Sequence, residues 1–317
     1  MAKRIATHSG SFHADDVFGV AVLAALFPSH ALVRTRDAAE IARADFAVDV
    51  GGEWDPARGR FDHHQRGFDG ARAGAEGYAS AGLVWREFGH AYVRQVADGL
   101  GHALPDDAAS RIAQDIDGAL VRYLDLVDTG ADLVAPGAFG LSSQVAALNS
   151  TWLEEQPLDT GGRAALQLER FREAMATVQR FLQRLVLRRI GQDLAAHRVR
   201  ASERLLGGRV LHLAEGGMPW TSVVVQEMPD VLFVLYPEAD ESGERYVLRT
   251  VPAQVGSFAS RLDLPRAWAG LRDQQLAAAC GVPDALFCHT NVFIAVARSF
   301  DGALRMAQLA LDVARVT

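Results

Sequence analysis

Lysine is almost missing from the 317 residues: Lys3 stands alone beside 31 arginines. Cysteine is nearly missing too. Only Cys280 and Cys288 are present, which excludes a disulfide scaffold. Long apolar runs are absent. The longest early one, Val17 to Phe27, has 11 residues, against the roughly 20 that a membrane-spanning helix needs. His8, His13, Asp15 and Asp16 separate that run from Lys3 and Arg4, an order that no secretory signal tolerates. The expected location is the cytoplasm, with reduced thiols and no membrane partner. The Ala, Arg, Gly and Val bias points to a GC-rich bacterial genome. An excess of positive charge is also lacking. Lys and Arg total 32 against 39 Asp and Glu, a net of -7, which excludes a broadly basic coat for nucleic acid. There is no P-loop, no GxGxxG, and no RNP-type or zinc-finger motif.

What is present is an ordinary globular composition, with 49% hydrophobic and 22% charged residues. The length suggests two domains. The first 50 residues read as βαβαβ: strand Arg4–His8, helix Asp15–Phe27, strand Ala31–Arg36, a helix from Asp37 to Ala44 capped by Asp37, and strand Phe46–Val50. That alternation predicts a parallel sheet with its ligand site beyond the carboxyl ends of the strands. Helices are expected over Tyr78–Leu100, Asp106–Asp128 and Arg163–Ser202, with a loop marked by Pro136, Gly137 and Gly140. After residue 200 the pattern changes to short strands at Arg209–Ala214, Ser222–Gln226, Val231–Tyr236, Tyr246–Pro252 and Phe293–Ala297, closed by a helix from Gly302 to Val316. The expected domains are 1–160, a connecting helix over 161–200, and 201–317.

Four of the ten histidines fall in two tight clusters with acids beside them. The first is THSGSFHADD at 7–16 and the second is FDHHQRGF at 61–68. Asp49 ends a predicted strand between them, and YLDLVDTG at 123–130 adds Asp125 and Asp128. Imidazole with carboxylate suits Mn²⁺, Fe²⁺ or Zn²⁺ better than Ca²⁺. His8, His13, Asp15, Asp49, His63, His64 and Asp128 offer enough ligands for two metals sharing a bridging carboxylate. Such a pair can activate a water and stabilise an in-line displacement at phosphorus. The competing readings are a helix-start acid at Asp15 and an accidental pair of histidines.

These motifs resemble the DHH phosphoesterase superfamily. The segments THSGSFHADD, DVGGEWDPARGRFDHHQRGF and SAGLVWREFG are similar to its Myg-type (UPF0160, melanocyte-proliferating-gene exonuclease) branch. So are LNSTW at 148–152, SFASRLDLPRAWAGLRDQQL at 257–276, LFCHTNVFIA at 286–295 and DGALRMAQLAL at 301–311. The resemblance implies an α/β fold: a parallel-sheet, DHH-type N-terminal domain and a smaller α/β C-terminal domain joined by a long helix. It implies two divalent ions, Mn²⁺ first, with Mg²⁺, Fe²⁺ or Zn²⁺ as alternatives. One ion would take His8, His13 and Asp49. The other would take Asp15, Asp49, His63 and Asp128, with Asp125 as second choice to Asp128. The superfamily's usual first motif has an Asp where His13 stands. His64 would face the substrate phosphate and Asp62 would orient a histidine. The second domain would close over the metals, with Arg261, Arg272 and His289 as its phosphate contacts. The glycine usual near Asn291 and Val292 is absent.

Arg66 is a candidate phosphate clamp, because a guanidinium matches phosphate bidentately; the alternative is a loop pair with Asp69. Asn149 and Trp152 are candidates to position or stack a base, while the general expectation for Trp152 is core packing. Arg180, Arg184 and Arg188 share a helix face, and Arg189, Arg198, Arg200, Arg204 and Arg209 follow. That stripe is either a polynucleotide track or a solvated helix face. The leading expectation is a metal-dependent 3′-to-5′ exonuclease acting on RNA or short oligonucleotides. Its alternatives are hydrolysis of a small phosphorylated molecule, a regulatory nucleic-acid binder with a structural metal, and metal-assisted amide hydrolysis. The expected partner is an RNA or oligonucleotide substrate, with a homodimer as a further candidate.

Overall fold

The computed structural model describes residues 2–74, 76–131, 140–240 and 243–316. Pro136 and Gly137 of the expected loop lie outside the described residues. The chain forms two compact units, Met1–Ile190 and Gly191–Thr317.

The first unit begins with β1 (Lys3–Thr7), α1 (Ala14–Leu26), β2 (His30–Arg34), α2 (Ala38–Ala42) and β3 (Phe46–Val48). Asp37 caps α2 by accepting from the amides of Ala39 and Glu40. A short hairpin follows, β4 (Trp54–Asp55) and β5 (Arg60–Phe61). The sheet order is β2-β1-β3-β5-β4, parallel except for the β4 edge. The carboxyl ends of β1, β3 and β5 therefore lie side by side. Every residue of α1 from Ala14 to Ala24 is buried, as expected of a helix enclosed on all sides. Gly19 permits this. A Cβ there would stand 2.8 Å from Val48 and 3.2 Å from Val84.

Next come α3 (Ser80–Gly99), α4 (Asp106–Ile116), α5 (Arg122–Asp128), α6 (Leu141–Ala146) and α7 (Trp152–Glu155). The single helix expected from Asp106 to Asp128 is interrupted by a wider π turn at Asp117–Val121, a local irregularity of the kind that clusters near functional sites. The long helix α8 runs from Thr160 to Ala201. Phe171, Ala174, Val178, Leu182, Val186 and Ile190 are its buried residues within this unit, spaced at three and four as one inward face requires.

The second unit contains β6 (Glu203–Leu205), β7 (Val210–His212), α9 (Thr221–Glu227), β8 (Phe233–Asp240), β9 (Gly243–Thr250), α10 (Asp273–Cys280), β10 (Ala285–Cys288), β11 (Ile294–Ala297) and α11 (Phe300–Val316). Its sheet order is β10-β11-β9-β8-β7-β6, mostly antiparallel, with β7 and β8 parallel. Along β8, Phe233 and Leu235 enter one apolar cluster with Met306 and Leu276, while Val234 enters another with Val223 and Val224. Period-two alternation thus serves both faces. The Ser222–Gln226 strand expected from its β-branched run is a helix. Val223 and Val224 pack on the sheet, so tertiary burial overrides local β preference. Among the described residues, no helix is long and apolar enough to cross a membrane.

Candidate metal centre

The three neighbouring strand ends deliver the side chains. His8 follows β1, Asp49 follows β3, and Asp62, His63 and His64 follow β5. The start of α1 adds His13, Asp15 and Asp16, and the end of α5 adds Asp128. Asp49 adopts a left-handed backbone, φ 56°. Asp tolerates that region better than most residues, and the turn leaves its carboxylate in the middle of the group.

Asp49 divides its two oxygens. Oδ2 lies 3.4 Å from His8 Nε2, and Oδ1 lies 3.4 Å from His63 Nε2 and 3.3 Å from His64 Nδ1. His63 Nε2 is also 3.2 Å from Asp128 Oδ2 and 3.9 Å from Asp15 Oδ2. His13 Nδ1 is 4.0 Å from Asp128 Oδ1. Three overlapping groups result: His8-His13-Asp49, Asp49-His63-His64 and His13-Asp15-Asp128, each with its ligand atoms within 4.8 Å. The six expected metal residues are therefore gathered in one place. Asp49 reaches both sides, as a bridging carboxylate must.

The donor set fits divalent cations. Both Asp15 oxygens are buried with no donor, and His8 Nε2 and His63 Nε2 are buried against carboxylates at 3.2 to 3.4 Å without a well-formed hydrogen bond. Buried polar atoms are normally paired. Four that lack such a bond and converge, two imidazole and two carboxylate, are what a cation with mixed N and O ligands would satisfy.

The electrostatics agree. Burial pushes the Asp15 carboxyl well above the usual range, and the charges of Asp49 and Asp128 push it the same way. Burial also opposes ionisation of Asp49, but the neighbouring imidazoles of His63, His64 and His8 outweigh it and hold that carboxyl far below the usual range. Burial lowers His63, yet Asp128 and Asp49 raise it to about 10. His64 is raised to about 9, first by Asp49 and also by Asp62, against the effect of burial.

The residues around the group hold it in shape. Asp62 Oδ2 accepts from Gly52 N at 2.6 Å, and Oδ1 lies 2.9 Å from His64 Nδ1. His64 is 62% exposed. Ser80 and Asp16 carry no motif that singles them out. Ser80, the first residue of α3, is buried and donates to Asp49 Oδ1 at 3.0 Å. Asp16 accepts from Thr7 Oγ1 and from the His13 amide, and lies 3.4 Å from His8. Burial raises it to about 6, against the pull of His8. A serine opening a helix and an acid in a first turn look like capping residues in sequence alone.

Asp125 is not in the group. It accepts from Gly82 N at 2.9 Å and pairs with Arg72 at 2.6 Å, and a Cβ on Gly82 would collide with it at 2.0 Å. Asp125 and Asp128 project about 60° apart on their helix, enough to send one to α3 and the other to the metal ligands.

Two expected substrate contacts are already engaged with backbone. Asn149 Oδ1 accepts from Phe12 N, and Nδ2 donates to the carbonyls of Phe12 and Ala146. Arg261 donates to the carbonyls of Val224, Val225, Met228 and Val231 and so closes the end of α9. Both side chains are thus held by backbone groups. Arg272 is exposed and stacks over Phe287, with its Cζ 4.6 Å from the ring centroid. His289 Nδ1 accepts from Asn291 N, with Phe293 beside the ring. Arg66 is exposed and forms no ion pair among the described residues, so the alternative of an Asp69 pair is not realised. Arg180, Arg184 and Arg188 are exposed as well, whereas Arg198, Arg200 and Arg209 pair with Glu215, Glu227 and Asp230.

Residues 4–311 match the family described as an uncharacterised protein family, UPF0160 (MYG1_exonuc). The chain is 34% identical to the MYG1 exonuclease of Rattus norvegicus, covering 97% of this chain and 84% of that protein. It is 34% identical to the MYG1 exonuclease of Homo sapiens, covering 97% and 85%. A solved pGpG-specific phosphodiesterase overlays 98% of this chain and 99% of its own, at 11% identity and a TM-score of 0.30, too low to carry a fold assignment. On the match across the chain and the relatives' identity, the protein belongs to the UPF0160 (MYG1 exonuclease) family.

Proposed function

We propose that this chain is a metal-dependent phosphoesterase of the DHH type, acting as a 3′-to-5′ exonuclease on RNA or short oligonucleotides. The observation that carries the reading is the set of buried ligand atoms without a well-formed hydrogen bond around Asp49 at the carboxyl edge of the first sheet. Membership in a family whose relatives are named exonucleases supports the substrate class. His8, His13 and Asp49 would hold one divalent ion, and Asp15, Asp49, His63 and Asp128 a second. Bound there, such ions supply water activation and screening of phosphate charge.

The protein's own groups have distinct tasks in this reading. Asp49 holds the two halves of the group in register, and Ser80 fixes its carboxylate. Asp62 holds His64 from the Nδ1 side, so the exposed ring edge carrying Nε2 is free to face a phosphate. A histidine whose Nδ1 is held by Asp62 can donate a hydrogen bond to a phosphate oxygen, or a proton to the leaving oxygen, when it is protonated. Arg66, exposed beside the double histidine, can clamp a second oxygen. The test is a 5′-labelled RNA incubated with protein and Mn²⁺. The expected result is progressive shortening from the 3′ end, lost with chelator and reduced roughly a thousandfold or more by Asp49→Ala. Full activity in either condition overturns the reading.

A further inference from the structure

A cavity of about 400 Å³ opens directly beside the metal ligands, within the size range of small-molecule sites. One wall is polar and belongs to the centre: His13, Asp15 and Asp128. The rest of the lining combines the aliphatic side chains of Leu124, Val127 and Ala146 with the hydroxyl-bearing Ser142 and Ser143. A phosphate held at the metal ligands would have its attached group at this cavity. Aliphatic side chains with two serine hydroxyls, and no lysine or arginine in the lining, suit a base or sugar better than a second phosphate.

A second observation lies on the same segment. Trp152 is 70% exposed and Leu153 64%, which overturns the expectation of core packing. The indole is presented on a fixed support. Thr151 and Glu154 form a reciprocal capping box at the start of α7. Three residues earlier, the Asn149 amide ties this segment to the Ala146 carbonyl and to both backbone groups of Phe12. Phe12 lies in the loop between His8 and His13, and Ala146 lines the cavity. Asn149 is bonded to the lining residue Ala146, and three residues span at most about 11 Å, so the Trp152 backbone lies within that reach of Asn149.

We propose that the cavity takes the terminal nucleoside of a single-stranded substrate and that Trp152 stacks on the neighbouring base. The inference rests on the phosphoesterase reading and adds to it a place for the bases. Asn149 is then a positioning residue, holding this segment to the metal-binding loop. Aromatic stacking tolerates any base, so the site confers a preference for nucleotides without a sequence preference.

The experiment compares wild type, Trp152→Ala and Trp152→Phe in Mn²⁺, on oligoadenylate and on bis(4-nitrophenyl) phosphate, which has no base. The expected result is a KM for oligoadenylate raised about tenfold relative to that for the baseless ester in Trp152→Ala, with kcat changed little and most of the effect rescued by Phe. Titration with a diadenylate in Ca²⁺ should quench tryptophan emission in wild type and much less in Trp152→Phe. Equal losses on both substrates, or no change in KM and quench, overturn the proposal. So does a dimer in wild type that becomes a monomer in Trp152→Ala with KM unaltered, which would make Trp152 a contact between copies of the chain. The phosphoesterase reading fails separately, if wild type hydrolyses neither substrate with any divalent ion.

Discussion

Polar groups in the two units stand in opposite conditions. At the carboxyl edge of the first sheet, His8, His63 and Asp15 present buried atoms with no well-formed hydrogen bond. In the second unit, Arg261 donates to four carbonyls and His289 accepts a backbone amide. A buried polar atom without a partner costs free energy in the isolated protein. Several of them persist together where a ligand supplies what the fold withholds. A polar group already saturated by backbone is part of the scaffold, however functional its residue type looks in sequence. Burial and pairing, more than chemistry, separate the two.

The comparison can be broken most severely at Asp15. Its carboxyl is buried, and the charges of Asp49, Asp128 and Asp16 oppose its ionisation. Asp15→Asn should lower Mn²⁺ affinity by more than the roughly 10- to 100-fold typical of an outer partner, while raising the melting temperature of the chelator-treated protein. Calorimetry with and without metal reads both. A melting temperature that falls in the chelated variant would show that Asp15 is a satisfied structural acid.

The pH dependence tests the same point without mutation. His63 and His64 bind protons more tightly in the folded state than in the unfolded chain, and so do Asp15 and Asp16. The folded state therefore holds more protons, and stability falls as pH rises. The histidine contribution is complete below about 6.5 and is lost as pH passes through about 9 for His64 and about 10 for His63. Asp16 contributes its decline earlier, between the usual carboxylate range and about 6. Asp49 works in the opposite sense, but only in strong acid. Metal-free protein should lose melting temperature steadily from pH 6.5 to 9, and added Mn²⁺ should flatten the curve. A flat curve in chelator would contradict the site electrostatics.

Smaller effects sharpen the contrast. Ser80→Ala removes one hydrogen bond to the bridging carboxylate and should weaken metal binding about tenfold with little change in fold. Arg261→Ala should do the reverse. It should destabilise the second unit by about 2 kcal/mol and leave Mn²⁺ affinity as in wild type. A loss of metal affinity there would place Arg261 in the site after all.

Much of the centre was legible because histidines paired with acids at strand ends are a rare pattern with few other uses. The βαβαβ reading put His8 and Asp49 on one sheet edge, and the register of β1, β3 and β5 places them there. Ser80 and Asp16 were not legible, since both have ordinary helix-start identities and their roles depend on which strand end lies opposite. The backbone partners of Asn149 and Arg261 are not legible for the converse reason: every residue carries amides and carbonyls, and no sequence displays which of them a side chain meets. Ser222–Gln226 was misread because three consecutive valines favour a strand locally, whereas packing of Val223 and Val224 decides for a helix.

In the proposed reading Asp49 would be a shared ligand of two divalent ions. Isothermal titration of chelator-stripped protein with Mn²⁺ tests it directly. Two ions per chain in wild type, and loss of tight binding at both sites in Asp49→Ala, are the predicted result. A single ion in wild type, or two ions bound as tightly by Asp49→Ala, would contradict it.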